Sequence, residues 1–341
     1  MTASVESPAS AEELAGDKNT VGQRVHEVLH RFPALSPAIV LVLACIVFSF
    51  ASDRFLRLQN LSLIAQQVSI VGTLAVGQTL VILTAGIDLS VGAIMVLSSL
   101  AMAKMVHTNG APALIAIIVG VLVALVAAGI NGLLVTRIKL PPFIVTLGTL
   151  GIYTAITLIY ASGQTVTLNP NSFVLWPGNS FKFGSVTLTY GVVLMVVLYL
   201  VVAFALRNTA WGRHLYATGD DQEAARLAGI RTDRVLLSAY VVAGVAIAVA
   251  AWILCGRVGG ADPNSGTNAN LESITAVVIG GTSLFGGRGL VIGSLIGAFI
   301  VQVFDNGLAL AGIDPNYQVL AVGVLVIVAV SVDQWIRSVK A

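Results

Sequence analysis

Residues 112–135 read Pro-Ala-Leu-Ile-Ala-Ile-Ile-Val-Gly-Val-Leu-Val-Ala-Leu-Val-Ala-Ala-Gly-Ile-Asn-Gly-Leu-Leu-Val, with no Asp, Glu, Lys or Arg. A bilayer core of about 30 Å needs about 20 mainly apolar residues to cross it as a helix. The run is continuous rather than alternating, which favours a helix over a barrel strand. Outward from it, similar runs lie near 35–51, 61–84, 89–106, 143–161, 190–206, 235–255, 273–286, 290–304 and 317–332. The expected fold is therefore an all-α polytopic membrane protein of about ten transmembrane helices. The pair 273–304 is tight, so one or both pieces read as half-helices, and some segments are expected to be broken or re-entrant. Polar Thr165, Thr167, Asn169 and Asn171, with Pro170 and Pro177, make the middle of 143–190 an extracytoplasmic loop.

Composition agrees with this reading. The 341 residues are 57% hydrophobic and 10% charged, with a mean hydropathy of +0.93, whereas soluble domains carry about 25% charged residues. The 34 glycines suit membrane helices, in which Gly is frequent. A net charge of +2 and the lack of a basic stripe interleaved with aromatics set aside a nucleic-acid partner. Cys45 and Cys255 sit inside apolar runs and read as small buried hydrophobes.

Residues 1–33 are polar and of mixed charge, without the basic stretch, short apolar core and cleavage site of a secretory signal. They read as a flexible cytoplasmic tail ahead of a signal-anchor helix. The bulk of the chain, 34–335, reads as one transmembrane domain, with a second cytoplasmic tail at 336–341. With the N-terminus inside, thirteen Lys and Arg fall on the cytoplasmic side and five (Arg54, Arg57, Lys104, Lys182, Arg257) on the other. That bias places both termini in the cytoplasm.

Several catalytic signatures are missing. There is no G-x-x-x-x-G-K-[ST] phosphate loop, no G-x-S-x-G elbow and no H-E-x-x-H pair. The four histidines, His26, His30, His107 and His214, are scattered without ligand spacing, so no metal site is expected. The chain reads as a non-enzyme.

The polar island 207–234 breaks the apolar pattern as a cytoplasmic loop. Within it, Gly219-Asp220-Asp221-Gln222-Glu223-Ala224-Ala225-Arg226-Leu227-Ala228-Gly229 has the layout of a short capped helix. Asp220 or Asp221 is the N-cap, early acids complement the helix dipole, and Gly229 is the stop. A solvated loop is the bland reading, and a docking helix for another protein the sharp one. Asp88, flanked by Gly86 and Gly92, is an ionisable group at membrane depth, where a cavity or a partner is needed. Asp88 also precedes Leu89-Ser90-Val91 as a helix cap would; capping or structural pairing is the expectation, substrate contact the alternative. Gly280, Gly281, Gly286, Gly287 and Gly289 mark a helix break or a tight re-entrant turn. Neutral polar residues within the runs are pathway candidates: Gln66, Gln67, Gln78, Thr79, Asn131, Thr146, Thr149, Thr275 and Gln302. Each serves equally well as an interhelical hydrogen bond, worth about 0.6 kcal/mol.

Glu223-Ala224-Ala225-x-x-x-Gly229 is similar to the E-A-A-x-x-x-G loop of ATP-binding-cassette importer permeases, in which it forms the coupling helix seated in a cleft of the ATPase subunit. Along nearly its whole length the chain resembles the ribose/xylose-type sugar permease family of those importers. The matching blocks are Thr84-Ala85-Gly86-Ile87-Asp88-Leu89-Ser90-Val91-Gly92, then Asn131-Gly132 with Lys139 through Thr149. They continue with Gly212 through Ile230, Ala276 through Gly289, and Asn306-Gly307-Leu308. The resemblance implies a permease of the inner membrane of a prokaryote, paired with a second copy of itself. It further implies an ATPase inside that binds the ATP and Mg, a sugar-binding protein outside, and no cofactor in this chain. Where the family usually has a Tyr-Glu-Leu-Asp-like run before Ala276, this chain has Ala269-Asn270-Leu271-Glu272-Ser273-Ile274. That departure bears on which sugar is carried, not on the family. A nucleoside, a signalling furanose and a branched-chain amino acid are alternative cargoes on the same architecture. An ion-coupled secondary transporter is the competing class, and it lacks a relay of intramembrane acids beyond Asp88.

Overall fold

The computed structural model describes residues 35–314 apart from 267, together with 316–321, 323, 324, 327 and 331. The expected tails at 1–33 and 336–341, and much of the run 317–332, lie outside the described residues. In chain order the helices are α1 (Leu35–Ala51), α2 (Leu58–Leu83), α3 (Val91–His107), α4 (Ala113–Arg137), α5 (Pro142–Ala161), α6 (Tyr190–Asn208), α7 (Ala210–Asp220), α8 (Gln222–Leu227), α9 (Thr232–Val258), α10 (Ala269–Ile279) and α11 (Val291–Leu310). Short strands β1 (Val166–Thr167), β2 (Ser180–Phe183) and β3 (Val186–Thr189) lie between α5 and α6, with a 3-10 turn at Phe173–Gly178; β4 (Gly260–Ala261) follows α9.

Among the described residues, α2, α4, α5, α6, α9 and α11 are long and apolar enough to cross a membrane, and α1, α3 and α10 are shorter apolar helices. The expectation of an all-α chain is thus met in its bulk, with one qualification. Two antiparallel ribbons, β1 with β4 and β2 with β3, decorate one end of the bundle.

Two expected boundaries are corrected. The run 273–286 is not one helix: α10 occupies Ala269–Ile279 and ends there. Eleven residues rise about 16 Å, roughly half of a 30 Å hydrocarbon core. The reason lies in the glycines that follow. Gly281, Gly286, Gly287 and Gly289 take φ values of 87°, 84°, 69° and 152°, which a side chain would oppose. The polar island carries more helix than the sequence suggested, because α7 fills Ala210–Asp220 ahead of the short α8. Thr209 starts α7 by accepting a hydrogen bond from the Gly212 amide at 3.2 Å.

Burial explains how the elements are stacked. Helix α2 is buried along nearly its whole length and packs against α9, α11, α10 and α6. Helix α9 also packs against α4 and α3, so α2 and α9 are the central pair. Helices α10 and α11 approach backbone to backbone: a Cβ on Gly280 would fall 2.4 Å from the Gly293 carbonyl oxygen, and one on Gly297 1.8 Å from that of Ala276. Small residues that let backbones meet are the usual means of membrane helix association. Outside this core, α4 exposes Leu114, Ile118, Leu122, Val126, Ile130 and Leu133 at roughly helical spacing, the surface that lipid tails require.

Candidate functional site

Helix α8 is built as sequence logic demands. Asp221 departs from helical backbone (φ −150°, ψ 106°), and its Oδ1 accepts from the amides of Glu223 and Ala224, both at 2.9 Å. Asp221, rather than Asp220, is therefore the cap. Gly229, at φ 88°, ends the turn. Ala225 is the buried residue of α8, whereas Glu223, Ala224, Arg226 and Leu227 are exposed, Leu227 to 85%. This short capped helix thus projects an almost bare leucine between charged side chains.

Behind α8, three backbone segments meet. The Gly287 amide donates to the Leu83 carbonyl oxygen at 3.0 Å. A Cβ on Gly219 would lie 1.7 Å from that same oxygen and 2.8 Å from the Gly287 nitrogen. A Cβ on Gly286 would reach the Gly219 oxygen at 2.5 Å and the Ala85 nitrogen at 2.8 Å, and one on Gly287 the Asp220 Cα at 2.7 Å. The end of α7, the end of α2 and the turn after α10 are thus in direct main-chain contact. Glycine is the residue that permits such approach. Asp220 and Gly219 adjoin the Asp221 cap of α8, so the root of α8 lies against both interrupted segments, 84–90 and 280–290.

Segment 84–90 links α2 to α3 without helical hydrogen bonds, so its carbonyls need other donors. Three of them find donors on three helices. Thr146 Oγ1 of α5 donates to the Ile87 oxygen at 2.9 Å, Gln78 Nε2 of α2 to that of Asp88 at 3.0 Å, and Asn270 Nδ2 of α10 to that of Leu89 at 3.2 Å. Asp88, fully buried, accepts at Oδ1 from the Ser90 amide at 2.8 Å and the Ser90 hydroxyl at 2.6 Å, and Asn131 Nδ2 of α4 donates to that hydroxyl at 2.8 Å. Asp88 therefore ties down Ser90, the N-cap residue of α3, by a local side-chain turn, and α3 itself has no side-chain cap. The positive φ of this segment falls on Ala85 at 59°, not on Gly86. Gly86 serves close packing instead, since its Cβ would meet Val81 Cγ1 at 3.0 Å.

Gln78, Asp88, Asn131 and Thr146 are thus brought together, joined by Asn270. Thr149 lies one turn further along α5 and bonds to the Thr146 carbonyl at 3.4 Å. Gln67 stands apart, half-buried on α2. The Asp88 Oδ2, Asn131 Oδ1, Gln78 Oε1 and Tyr240 hydroxyl oxygens are buried with no hydrogen-bond partner among the described residues. Hydrogen-bonding capacity remains buried about one to two turns in from the α8 end of the bundle.

A second polar group, not assembled from sequence, lies toward the opposite end from α8. Gln302 Nε2 of α11 donates to Glu272 Oε2 of α10 at 3.1 Å, and Arg257 at the end of α9 and Asp305 of α11 act on Glu272 through space. Asn60 Nδ2 bonds Asn306 Oδ1 nearby in α11 at 2.9 Å. Gln302 was visible as a polar residue in an apolar run, and Glu272 as the acid left in an altered family block. Arg257 and Asp305 carried no such mark, because each sits at a span end where charges are ordinary.

A bundle of apolar helices with two interrupted segments tied to a projecting helix defines a multi-pass membrane protein of the transport class. Residues 60–330 match the family described as branched-chain amino acid transport system / permease component, and the chain belongs to that family. It is 49% identical over 332 residues to the fructose import permease protein FrcC of Rhizobium meliloti, covering 96% of this chain and 92% of that one. It is 39% identical over 301 residues to the ribose import permease protein RbsC of Bacillus subtilis, covering 88% and 92%. It is 34% identical over 298 residues to the D-allose transport system permease protein AlsC of Escherichia coli, covering 87% and 90%. No solved structure matches the chain.

Proposed function

We propose that this chain is the membrane-spanning subunit of an ATP-binding-cassette importer that moves a monosaccharide across the inner membrane. The relatives carry the names of fructose, ribose and allose permeases, which supports a neutral, hydroxyl-rich cargo. The observation that carries the mechanism is the Asp221-capped α8, exposed at Glu223, Arg226 and Leu227, with its root in main-chain contact with both interrupted segments. In this reading the α8 end faces the cytoplasm, as do both termini, with ten crossings within 34–335 and tails at 1–33 and 336–341. Two copies pair, a binding protein delivers sugar to the opposite end, and the ATPase that receives α8 holds ATP and Mg.

Closure of the ATPase pair displaces α8. The Gly219–Asp220 backbone, pressed on Leu83 and Gly287, passes that motion to segments 84–90 and 280–290. Gln78, Asp88, Asn131 and Thr146 keep the first segment in one shape while it moves, with Gln67 and Thr149 on the same helices. Glu272, Gln302, Asp305 and Arg257 offer the carboxylate, amide and guanidinium groups that bind sugar hydroxyls weakly, leaving affinity to the binding protein.

The test reverses the exposed ridge alone. Glu223→Lys with Leu227→Glu changes two exposed side chains, so insertion and yield are expected to match wild type. ATP-driven sugar uptake by proteoliposomes that contain the assembled importer is expected to be lost. Uptake at the wild-type rate would refute α8 as the coupling element.

A further inference from the structure

A cleft of about 500 Å³ opens beside α8, between α7, the link from α8 to α9, and the first turns of α9. Its walls carry Trp211, His214, Arg231, Arg234, Val235 and Ser238, and none of the residues that line it is acidic. We propose that this cleft binds the phosphate of an anionic phospholipid, with the glycerol and upper acyl carbons on its apolar wall. The proposal rests on the membrane location of the chain and not on the importer reading.

Depth is the first argument. Trp211 stands three residues beyond the end of α6, a helix that leaves Leu200, Val201 and Phe204 exposed to lipid. Ser238 is six residues into α9, about 9 Å toward the bilayer from Thr232. The Trp211 indole donates to Ser238 Oγ at 2.8 Å. A half-buried indole held at the junction of polar and apolar chain is the usual occupant of the headgroup level. The cleft therefore spans the depth of a phospholipid phosphate and its glycerol.

Charge is the second. Arg231 and Arg234 are exposed at the N-terminus of the 27-residue α9, where the helix dipole adds to their positive field. Neither guanidinium has an ion-pair partner among the described residues. His214 faces the same cleft from α7. Two exposed positive charges side by side suit a phosphate, and basic pockets at the cytoplasmic face of membrane helices take anionic headgroups. A protein carboxylate is the less suitable occupant. The cleft is walled on its apolar side by Trp211, Ile230 and Val235, which suits glycerol and acyl carbons rather than a carboxylate-bearing loop.

The experiment uses the full chain in phosphatidylcholine nanodiscs, with and without phosphatidylglycerol. Retained phosphatidylglycerol is counted by native mass spectrometry, and the melting temperature is followed. Wild type is expected to retain phosphatidylglycerol and to melt higher in its presence, with both effects weakened by salt. Arg231→Gln with Arg234→Gln is expected to bind it about 30-fold more weakly, and the double lysine variant to recover most of the binding. Phosphatidylglycerol retained by the glutamine variant as by wild type, or lost equally by the lysine variant, overturns the proposal. So does a glutamine variant that keeps the lipid but no longer associates with the ATPase subunit, which would assign the arginines to a protein interface.

Discussion

Replacing Gly219 by alanine sets two effects of opposite sign against each other. Gly219 lies within α7, where alanine is the better helix former by about 1 kcal/mol. Propensity alone therefore predicts a more stable chain. The added methyl, however, would stand 1.7 Å from the Leu83 carbonyl oxygen, and real Cβ contacts begin near 3.0 Å. The gap must open by about 1.3 Å, and the obstacles are main-chain atoms of α2 and of the turn at Gly287, not a side chain that could rotate away. Overpacking of this kind costs about 1–3 kcal/mol, occasionally more, which outweighs the propensity gain or at least cancels it. If α7 yields instead, the contact between α8 and the two interrupted segments is lost. Either way, purified importer carrying Gly219→Ala is expected to hydrolyse ATP without the response to binding protein and sugar, and to import sugar slowly. Gly151→Ala is the control, since nothing lies within 4 Å of its Cβ on the exposed face of α5. A Gly219→Ala importer that melts, hydrolyses ATP and transports as the control does would refute the junction as the path of coupling.

Two further outcomes follow from hydrogen bonds already described. Asp221→Ala removes both caps of α8, a loss of about 1 kcal/mol; in a six-residue helix this is enough to fray it, so uptake is expected to fall at unchanged membrane yield and to recover in Asp221→Ser. Thr146→Val leaves the Ile87 carbonyl unpaired at about 1–3 kcal/mol and is expected to lower the melting temperature without altering which sugar is carried; a changed sugar preference at wild-type stability would return Thr146 to the cargo-binding surface.

What the sequence disclosed depended on whether the responsible physics was local. The apolar runs announced their helices because lipid burial acts on each residue separately, and the Asp221–Gly229 pattern announced α8 because capping is settled within one turn. The 280–289 glycines marked a break for the same reason. Partnership across the fold left no such trace. Asn131, Thr146, Gln78 and Asn270 lie on four helices, and from sequence each was as good a candidate for touching cargo as for bonding a neighbour. That Thr146, Gln78 and Asn270 meet the carbonyls of Ile87, Asp88 and Leu89, and Asn131 the Ser90 hydroxyl, follows only from how the helices pack. Gly219 looked like part of a solvent loop because its neighbours Asp220 and Asp221 are charged. Its role appears only when α2 and the α10–α11 turn are folded against it.

That contrast bears on how the protein works. Segment 84–90 is interrupted backbone largely buried in the bundle, which survives only where other groups satisfy it. Here those groups come from α2, α5 and α10, while α4 holds the Ser90 hydroxyl through Asn131. A segment held by four separate helices cannot shift unless they shift in concert, so its shape reports the arrangement of the whole bundle. Its neighbour Leu83 touches the root of α8 as well. The same few residues therefore touch the root of α8 and lie where the helices are tied together. In the proposed reading, coupling needs no long relay across the membrane, because the root of α8 and segment 84–90 share a backbone contact.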